Sequence, residues 1–303
     1  MIESPLPDGE SQPPQPGFMH RRDFVVGGIK VGVSMLVMDW LRMPAFAGEQ
    51  HRTTILPVHL NDSINIIANY LTRYTPPVGD FPANGAWKAS YDLLEWTGTP
   101  GKVPSTNRTI GNATITRRAD AGAIGYDLDY TLRLYGWETG LKSSMQCSTG
   151  PIPGLVKWQT DYENHSMKGQ PSSLALTENG EHRDGVLTIS SKAGTRHFNT
   201  TRPVAPQWAI LDAVRTAKPD PSDPVAGIEF DYLYDLTSYR PRQKLRPAGR
   251  LDISLDGTAH QFHGFIQTGI GSVPTHYWVD AAGRPLIFTG GLVCSGLASI
   301  QPA

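Results

Sequence analysis

From residue 113 to its end the chain alternates apolar and polar positions with a period of two, as strands do when one face is buried and the other is wet. The clearest run sets Tyr126, Leu128, Tyr130, Leu132 and Leu134 on one side against Asp127, Asp129, Thr131 and Arg133 on the other. Further strands are predicted over 113–118, 141–149, 154–162, 173–178, 186–190 and 196–200, with turns at Glu178-Asn179-Gly180 and Ala193-Gly194. Such close spacing predicts an antiparallel meander. The pattern then changes to a helical stripe over 206–218, made of Ala209, Ile210, Ala213 and Val214. Pro206 sits where a missing N–H costs little, and Pro219 forbids continuation. Strands return over 228–237, 250–255, 260–268, 275–280 and 285–293, with hairpin turns at Asp256-Gly257 and at Asp280 to Gly283.

The first third of the chain reads differently. A helix is predicted over 62–74, where Ile64, Ile67, Ala68 and Leu71 share a face and Thr75-Pro76-Pro77 ends it. A second short helix is predicted over 87–96, and Pro100-Gly101 opens an exposed connection to Asn107. Ahead of these stands a targeting pattern. Arg21-Arg22, with Phe24 two positions on, precedes a weakly apolar run to Met38 that Gly27, Gly28, Lys30 and Gly32 dilute. Ala45 and Ala47 then place small residues two apart before a mature start near Gly48. The paired arginines point to the twin-arginine export route and hence to a periplasmic or otherwise exported protein. His20 stands where that signal usually has Ser or Thr. The run is shorter than the roughly 20 apolar residues of a spanning helix, so no stable membrane span is expected in the mature chain.

The predicted organisation is therefore a signal peptide over 1–47, a mixed portion over 48–104 and an antiparallel β domain over 105–303. Removing the signal leaves about 255 residues, enough for one large domain or two small ones. A net charge of −1 gives no general electrostatic case for nucleic acid or an anionic membrane surface. The two cysteines, Cys147 and Cys294, would be free to pair in an oxidising compartment, and two lone buried thiols are the other reading.

Candidate chemistry is sparse. His260 and His263 would point to opposite faces of one strand, so they could not join His276 around one metal without a bulge. Asp127 and Asp129 would be about 7 Å apart on one strand face, a glycosidase-like separation, but alternating acids also mark any wet face. Asp231 and Asp235 would share a strand face in the same way. No nucleophile elbow and no nucleotide-cradling glycine loop is present. No metal, cofactor or catalytic residue is implied. The aromatic residues are more suggestive: a curved sheet could gather Tyr126, Tyr130, Phe230, Tyr232 and Tyr234, with Trp208 of the helix, around an apolar pocket or pack them as plain core.

The element order from residue 113 onward resembles the lipoprotein-carrier half-barrels, the LolA and LolB class, and a related family of periplasmic domains of unknown function. The resemblance lies in the meander, the helix entered through Val204-Ala205-Pro206-Gln207-Trp208, the aromatic strand Phe230-Asp231-Tyr232-Leu233-Tyr234 and hairpins ending in Tyr277-Trp278-Val279-Asp280. It implies a strongly curved antiparallel sheet around a helix-plugged apolar concavity. The chain lacks a lipobox cysteine, residues 49–104 have no counterpart, and no functional residue carries over. The expected fold is mainly β, a large curved antiparallel sheet in half-barrel style with one packed helix and a mixed N-terminal portion. The expected function is binding or structural, toward a lipid or other hydrophobic molecule, with a periplasmic hydrolase acting on polysaccharide or lipid as the alternative. Replacing Arg21 and Arg22 together by Lys is expected to strand the precursor in the cytoplasm. Undiminished export in a fractionation experiment would contradict the twin-arginine reading.

Overall fold

The computed structural model describes residues 84–95, 108–120, 122–168, 173–217, 227–255, 258–290 and 293–303. The signal pattern, the helix predicted over 62–74 and the connection from Pro100 to Asn107 lie outside the described residues.

The described chain forms strands β1 (Trp87–Glu95), β2 (Arg108–Asp120), β3 (Ala123–Leu134), β4 (Trp137–Ser148), β5 (Gly154–Ser166), β6 (Ser173–Arg183), β7 (Val186–Ser191), β8 (Gly194–Asn199) and β9 (Val204–Pro206). A 3-10 turn, Gln207–Ala209, leads into helix α1 (Ile210–Thr216). Strands β10 (Ile228–Tyr234), β11 (Ser238–Leu255), β12 (Thr258–Gly269), β13 (Thr275–Asp280), β14 (Pro285–Gly290) and β15 (Val293–Pro302) follow. All fifteen strands belong to one sheet, ordered β8-β7-β6-β5-β4-β3-β2-β1-β15-β14-β13-β12-β11-β10-β9. Every neighbouring pair is antiparallel except β9 with β10. The expected class, a mainly β protein with one large curved antiparallel sheet and one packed helix, is the architecture seen.

Covalent connectivity explains the curvature. Strands β1 and β15 pair at the centre of the sheet, and a meander runs outward from each. The two outermost strands, β8 and β9, are joined only by residues 200–203, a link that reaches at most about 18 Å. A flat sheet of fifteen strands would set its edges about 65 Å apart. The sheet must therefore curl until its edges meet. The seam is visible in contacts: β9 lies against β5, Arg196 of β8 donates to the Thr237 carbonyl at 3.1 Å, and Phe198 of β8 stacks on Tyr239 of β11 at 4.8 Å.

The inner face is core. Trp87, Ala89, Tyr91 and Leu93 alternate inward on β1, beside Ala113 and Ile115 on β2 and Tyr126 and Leu128 on β3. Helix α1 covers them with Ile210, Leu211, Ala213 and Val214, all buried. At about 1.5–3 kcal/mol for each large side chain removed from water, this face supplies much of the driving force for the curl.

Three local expectations are corrected. Residues 87–96 are not helical, because Trp87–Glu95 is the central strand β1, and Trp87, Ala89, Tyr91 and Leu93 recur at spacing two with their side chains buried. Glu178-Asn179-Gly180 is not a turn but the interior of β6. Gly180 is there because the indole of Trp158, its partner across β5 and β6, occupies the space that a Cβ would fill. Gly264 relates in the same way to Trp278, 2.8 Å from a Cβ built there. The turn that closes β6 on β7 is Asp184-Gly185, with both residues at positive φ as a tight hairpin requires. Strand β11 begins well before the predicted 250–255. Pro241 and Pro247, which argue against a strand there, sit at two bulges where the pairing shifts register.

Candidate functional site

Helix α1 is fixed to the sheet through one buried carboxylate. Asp212 Oδ2 accepts from Arg117 Nε at 2.6 Å and from the Tyr126 hydroxyl at 2.8 Å, and Oδ1 accepts from Arg215 Nε at 3.1 Å and from Arg215 Nη2. Arg117 Nη1 also donates to the carbonyls of Asn84 and Gly85, at 3.1 and 2.6 Å, which sets the entry into β1. The three charged groups are almost wholly enclosed. Desolvation lowers the Arg215 pKa, and desolvation reinforced by the Asp212 charge raises that of Tyr126 well above the usual phenol range. Tyr126 therefore serves as a hydrogen-bond donor holding the helix.

The other aromatic residues singled out in the sequence divide in two. Trp208, which precedes α1, meets Tyr91, Tyr130 and Phe288 with ring centroids 6.3, 6.2 and 5.4 Å away, so it draws together β1, β3 and β14. Phe230, Tyr232 and Tyr234 form a file along β10 at 6.3 and 6.1 Å. Trp208, Tyr126, Phe230 and Tyr232 are buried in the main hydrophobic cluster, whereas Tyr130 and Tyr234 are only partly buried. The interior aromatics are thus largely packed against one another and against the helix.

Cys147 on β4 and Cys294 on β15 are buried free thiols with β3, β2 and β1 between their strands, so no bridge joins them. Burial pushes the Cys294 thiol up to about 12, which leaves it inert as a nucleophile. The acids of β3 are engaged on the outer face, Asp127 with Arg118 and Asp129 with Lys142. Of the histidines, His276 is buried on β13, while His260 stacks on Phe262 at 6.3 Å.

Asp231 and Asp235 part company, because β10 ends at Tyr234 and Asp235 lies in the following turn. That turn is strained: Asp235 and Leu236 have φ of 46° and 56°, in the left-handed region that costs a non-glycine residue of order 1 kcal/mol or more. Leu236 is fully buried, and Gln207 Oε1 accepts from the Asp235 N–H at 3.2 Å, so packing holds the strain in place. Desolvation raises the Asp235 pKa to about 6, opposed by the Arg240 charge and a hydrogen bond from Tyr234. Arg240 lies 4.0 Å above the Tyr234 ring.

Among the described residues an open cleft lies at the seam. Asn199 at the end of β8, Thr201 and Arg202 of the β8–β9 connection, Asp231 of β10, Tyr239, Pro241 and Arg242 of β11, and Ile270 after β12 line a volume of about 520 Å³. Its frame is hydrogen-bonded from behind. Asp231, itself buried, accepts from the Arg242 N–H at 2.9 Å and the Tyr239 hydroxyl at 2.8 Å, while its own N–H donates to the Pro203 carbonyl at 2.9 Å. Gln243, also buried, donates through Nε2 to the carbonyls of Pro241 at 2.9 Å and Ile270 at 3.0 Å. The bulge of β11 is thereby tied to the Pro203 and Ile270 segments by two buried residues. A smaller cleft of about 250 Å³ lies between His260 and Arg284.

Alternation could not find the seam cleft, because its residues come from connections and from a bulge. The sequence signal was Pro241, flanked by Arg240 and Arg242 within otherwise strand-like residues: a proline inside a paired strand marks a bulge, and bulges gather at sites.

The sequence matches no family model and no curated protein. Among solved structures, the fold is similar to that of a β-barrel-like protein of a domain of unknown function, DUF1849, from Brucella abortus. The likeness has a TM-score of 0.48 with 7% identity, and covers 72% of this chain and 98% of that one.

The raised Asp235 pKa has a direct consequence for stability. A carboxyl whose folded pKa exceeds its unfolded value contributes stability that is present below the unfolded pKa and lost as pH rises through the folded one, here between about 4 and about 6. Asp235→Asn is expected to remove that loss, so that the variant gains on the natural protein across this window in denaturant unfolding. Parallel stability profiles from pH 4 to 7 would contradict the assignment.

Proposed function

We propose that this chain is an exported binding protein that holds a small hydrophobic molecule or lipid in the seam cleft, not among the interior aromatics. The observation that carries the reading is the cleft itself. It has the volume of a small-molecule site, a lining that includes Tyr239, Pro241 and Ile270, and a hydrogen-bonded frame that fixes its walls before any ligand arrives. Ile270 is 55% exposed, a large aliphatic side chain kept in water beside a concave surface. Export is supported by Arg21, Arg22 and Phe24 ahead of the weakly apolar run, and by Ala45 and Ala47 at the expected cleavage point. No helix among the described residues is long and apolar enough to cross a membrane. The resemblance of the element order in the sequence to lipoprotein-carrier half-barrels is what suggests a hydrophobic cargo. Hydrolysis draws no support, since Asp127, Asp129 and both oxygens of Asp231 are already engaged.

The neutral dye N-phenyl-1-naphthylamine is expected to bind the protein saturably, with Ile270→Asp weakening it about tenfold or more at an unchanged melting temperature, and Tyr126→Phe leaving its affinity unaltered. Saturable binding that ignores Ile270→Asp would move the site elsewhere, and an absence of binding to the natural protein would remove the hydrophobic-ligand reading.

A further inference from the structure

We infer that the ligand of the seam cleft bears an oxyanion head group, a carboxylate or a phosphate ester, on an apolar body; this inference rests on the seam cleft being the binding site. The charges that line the cleft are two guanidiniums, Arg202 and Arg242, and one carboxylate, Asp231. That carboxylate is spent inside the protein, its two oxygens accepting from the Tyr239 hydroxyl and the Arg242 N–H. The positive charges are not spent to the same degree. Arg202 donates through Nε and Nη2 to one oxygen of the exposed Glu229, at 3.2 and 3.1 Å, an ion pair that faces solvent and is weakened by it. Arg242 is exposed, and among the described residues no carboxylate is bridged to its side chain.

The backbone of Arg242 carries the same indication. Its φ is 53°, in the left-handed region where glycine or asparagine would sit without strain. The bulge sets Pro241 and Arg242 against the single residue Asp231, and the bond from the Arg242 N–H to Asp231 holds the strained residue in place. A bulge of this kind re-aims a side chain, and here the side chain belongs to the cleft lining. Asn199 and Thr201 add neutral hydrogen-bonding groups beside the two cations. Paired guanidiniums suit the planar oxygens of a carboxylate or the oxygens of a phosphate ester, which accept parallel hydrogen bonds from the arginine fork. Ile270, Pro241 and the Tyr239 ring, the last stacked on Phe198, give the same lining apolar surface. A lining that combines two cations with aliphatic and aromatic surface is what an anionic amphiphile would fill.

Calorimetric titration of the protein with octyl phosphate, octanoate, 1-octanol and inorganic phosphate tests this. Octyl phosphate or octanoate is expected to bind about tenfold or more tighter than 1-octanol, the difference that one charge-assisted contact supplies. The better of the two identifies the head group, and inorganic phosphate is expected to bind more weakly than octyl phosphate. In the Arg202→Gln, Arg242→Gln double variant the advantage over 1-octanol should shrink to about twofold or less while 1-octanol itself binds as before, which also shows that the variant is folded. Arg242→Lys should retain part of the advantage. Equal binding of octyl phosphate, octanoate and 1-octanol, all weakened by Ile270→Asp, would overturn the anionic head group and leave the hydrophobic cleft standing. Inorganic phosphate binding as tightly as octyl phosphate would overturn the apolar body. If none of the four binds, this inference fails together with the cleft reading on which it rests.

Discussion

The link of residues 200–203 between the two outermost strands constrains everything else in the molecule. Fifteen strands cannot lie flat when their edges are tied by so short a segment, so the sheet curls, and curling makes an inner face that water must leave. It also fixes where irregular backbone collects. Strand β8 with its exit, the three-residue strand β9 and the bulged β10–β11 hairpin converge at the seam. Edge strands are usually a hazard because they present unpaired backbone to other chains. Here β9 is short and proline-ended and lies against β5, and the Phe198–Tyr239 stack links β8 to β11.

A curled sheet with an apolar inner face needs something to fill it, and a seven-residue helix is too short to be stable by its own propensity. Tertiary contacts must hold α1, and those of Asp212 are directional ones. One carboxylate receives donors from β2, from β3 and from its own helix, which fixes the helix in position and rotation relative to the sheet. Buried ion pairs return little net stability compared with apolar packing, but they are costly to leave half-made, so a helix seated any other way would strand Arg117 and Arg215 in the core. Specificity of placement, more than strength, is what this cluster adds. The consequence is that Tyr126, Trp208, Phe230 and Tyr232 are packed as structural residues, which is why the proposed binding site is the seam and not the interior.

Strands with one wet and one dry face were legible because burial and period coincide there. Tyr126 to Leu134 is the clearest case, and α1 was legible from its apolar stripe and flanking prolines. Local signals failed where a contact distant in sequence set the conformation. Trp87–Glu95 does alternate, with Lys88, Ser90 and Asp92 between the buried Trp87, Ala89, Tyr91 and Leu93, but so short a run is told from a helix only by its pairing with β2 and β15, which lie far away in sequence or at the chain's end. Gly180 resembled a turn glycine but answers to Trp158, which is 22 positions away. The seam cleft was the least legible part. Asn199, Arg202, Asp231, Arg242 and Ile270 are adjacent only after the sheet has curled, and no periodicity along the chain records that closure.

The central claim is that the interior of the curled sheet is permanent core, with α1 an integral part of it and not a removable plug over a cavity. Native-state hydrogen exchange tests this most directly, through the helical N–H of Val214, Arg215 and Thr216 compared with the paired N–H groups at the centre of β3. The claim predicts that both sets exchange only through global unfolding, with the same free energy and the same denaturant dependence. Helix amides that open several kcal/mol below the global value, and with little denaturant dependence, would show that α1 leaves its seat while the sheet stays folded, and would return the interior aromatics to the position of a ligand site.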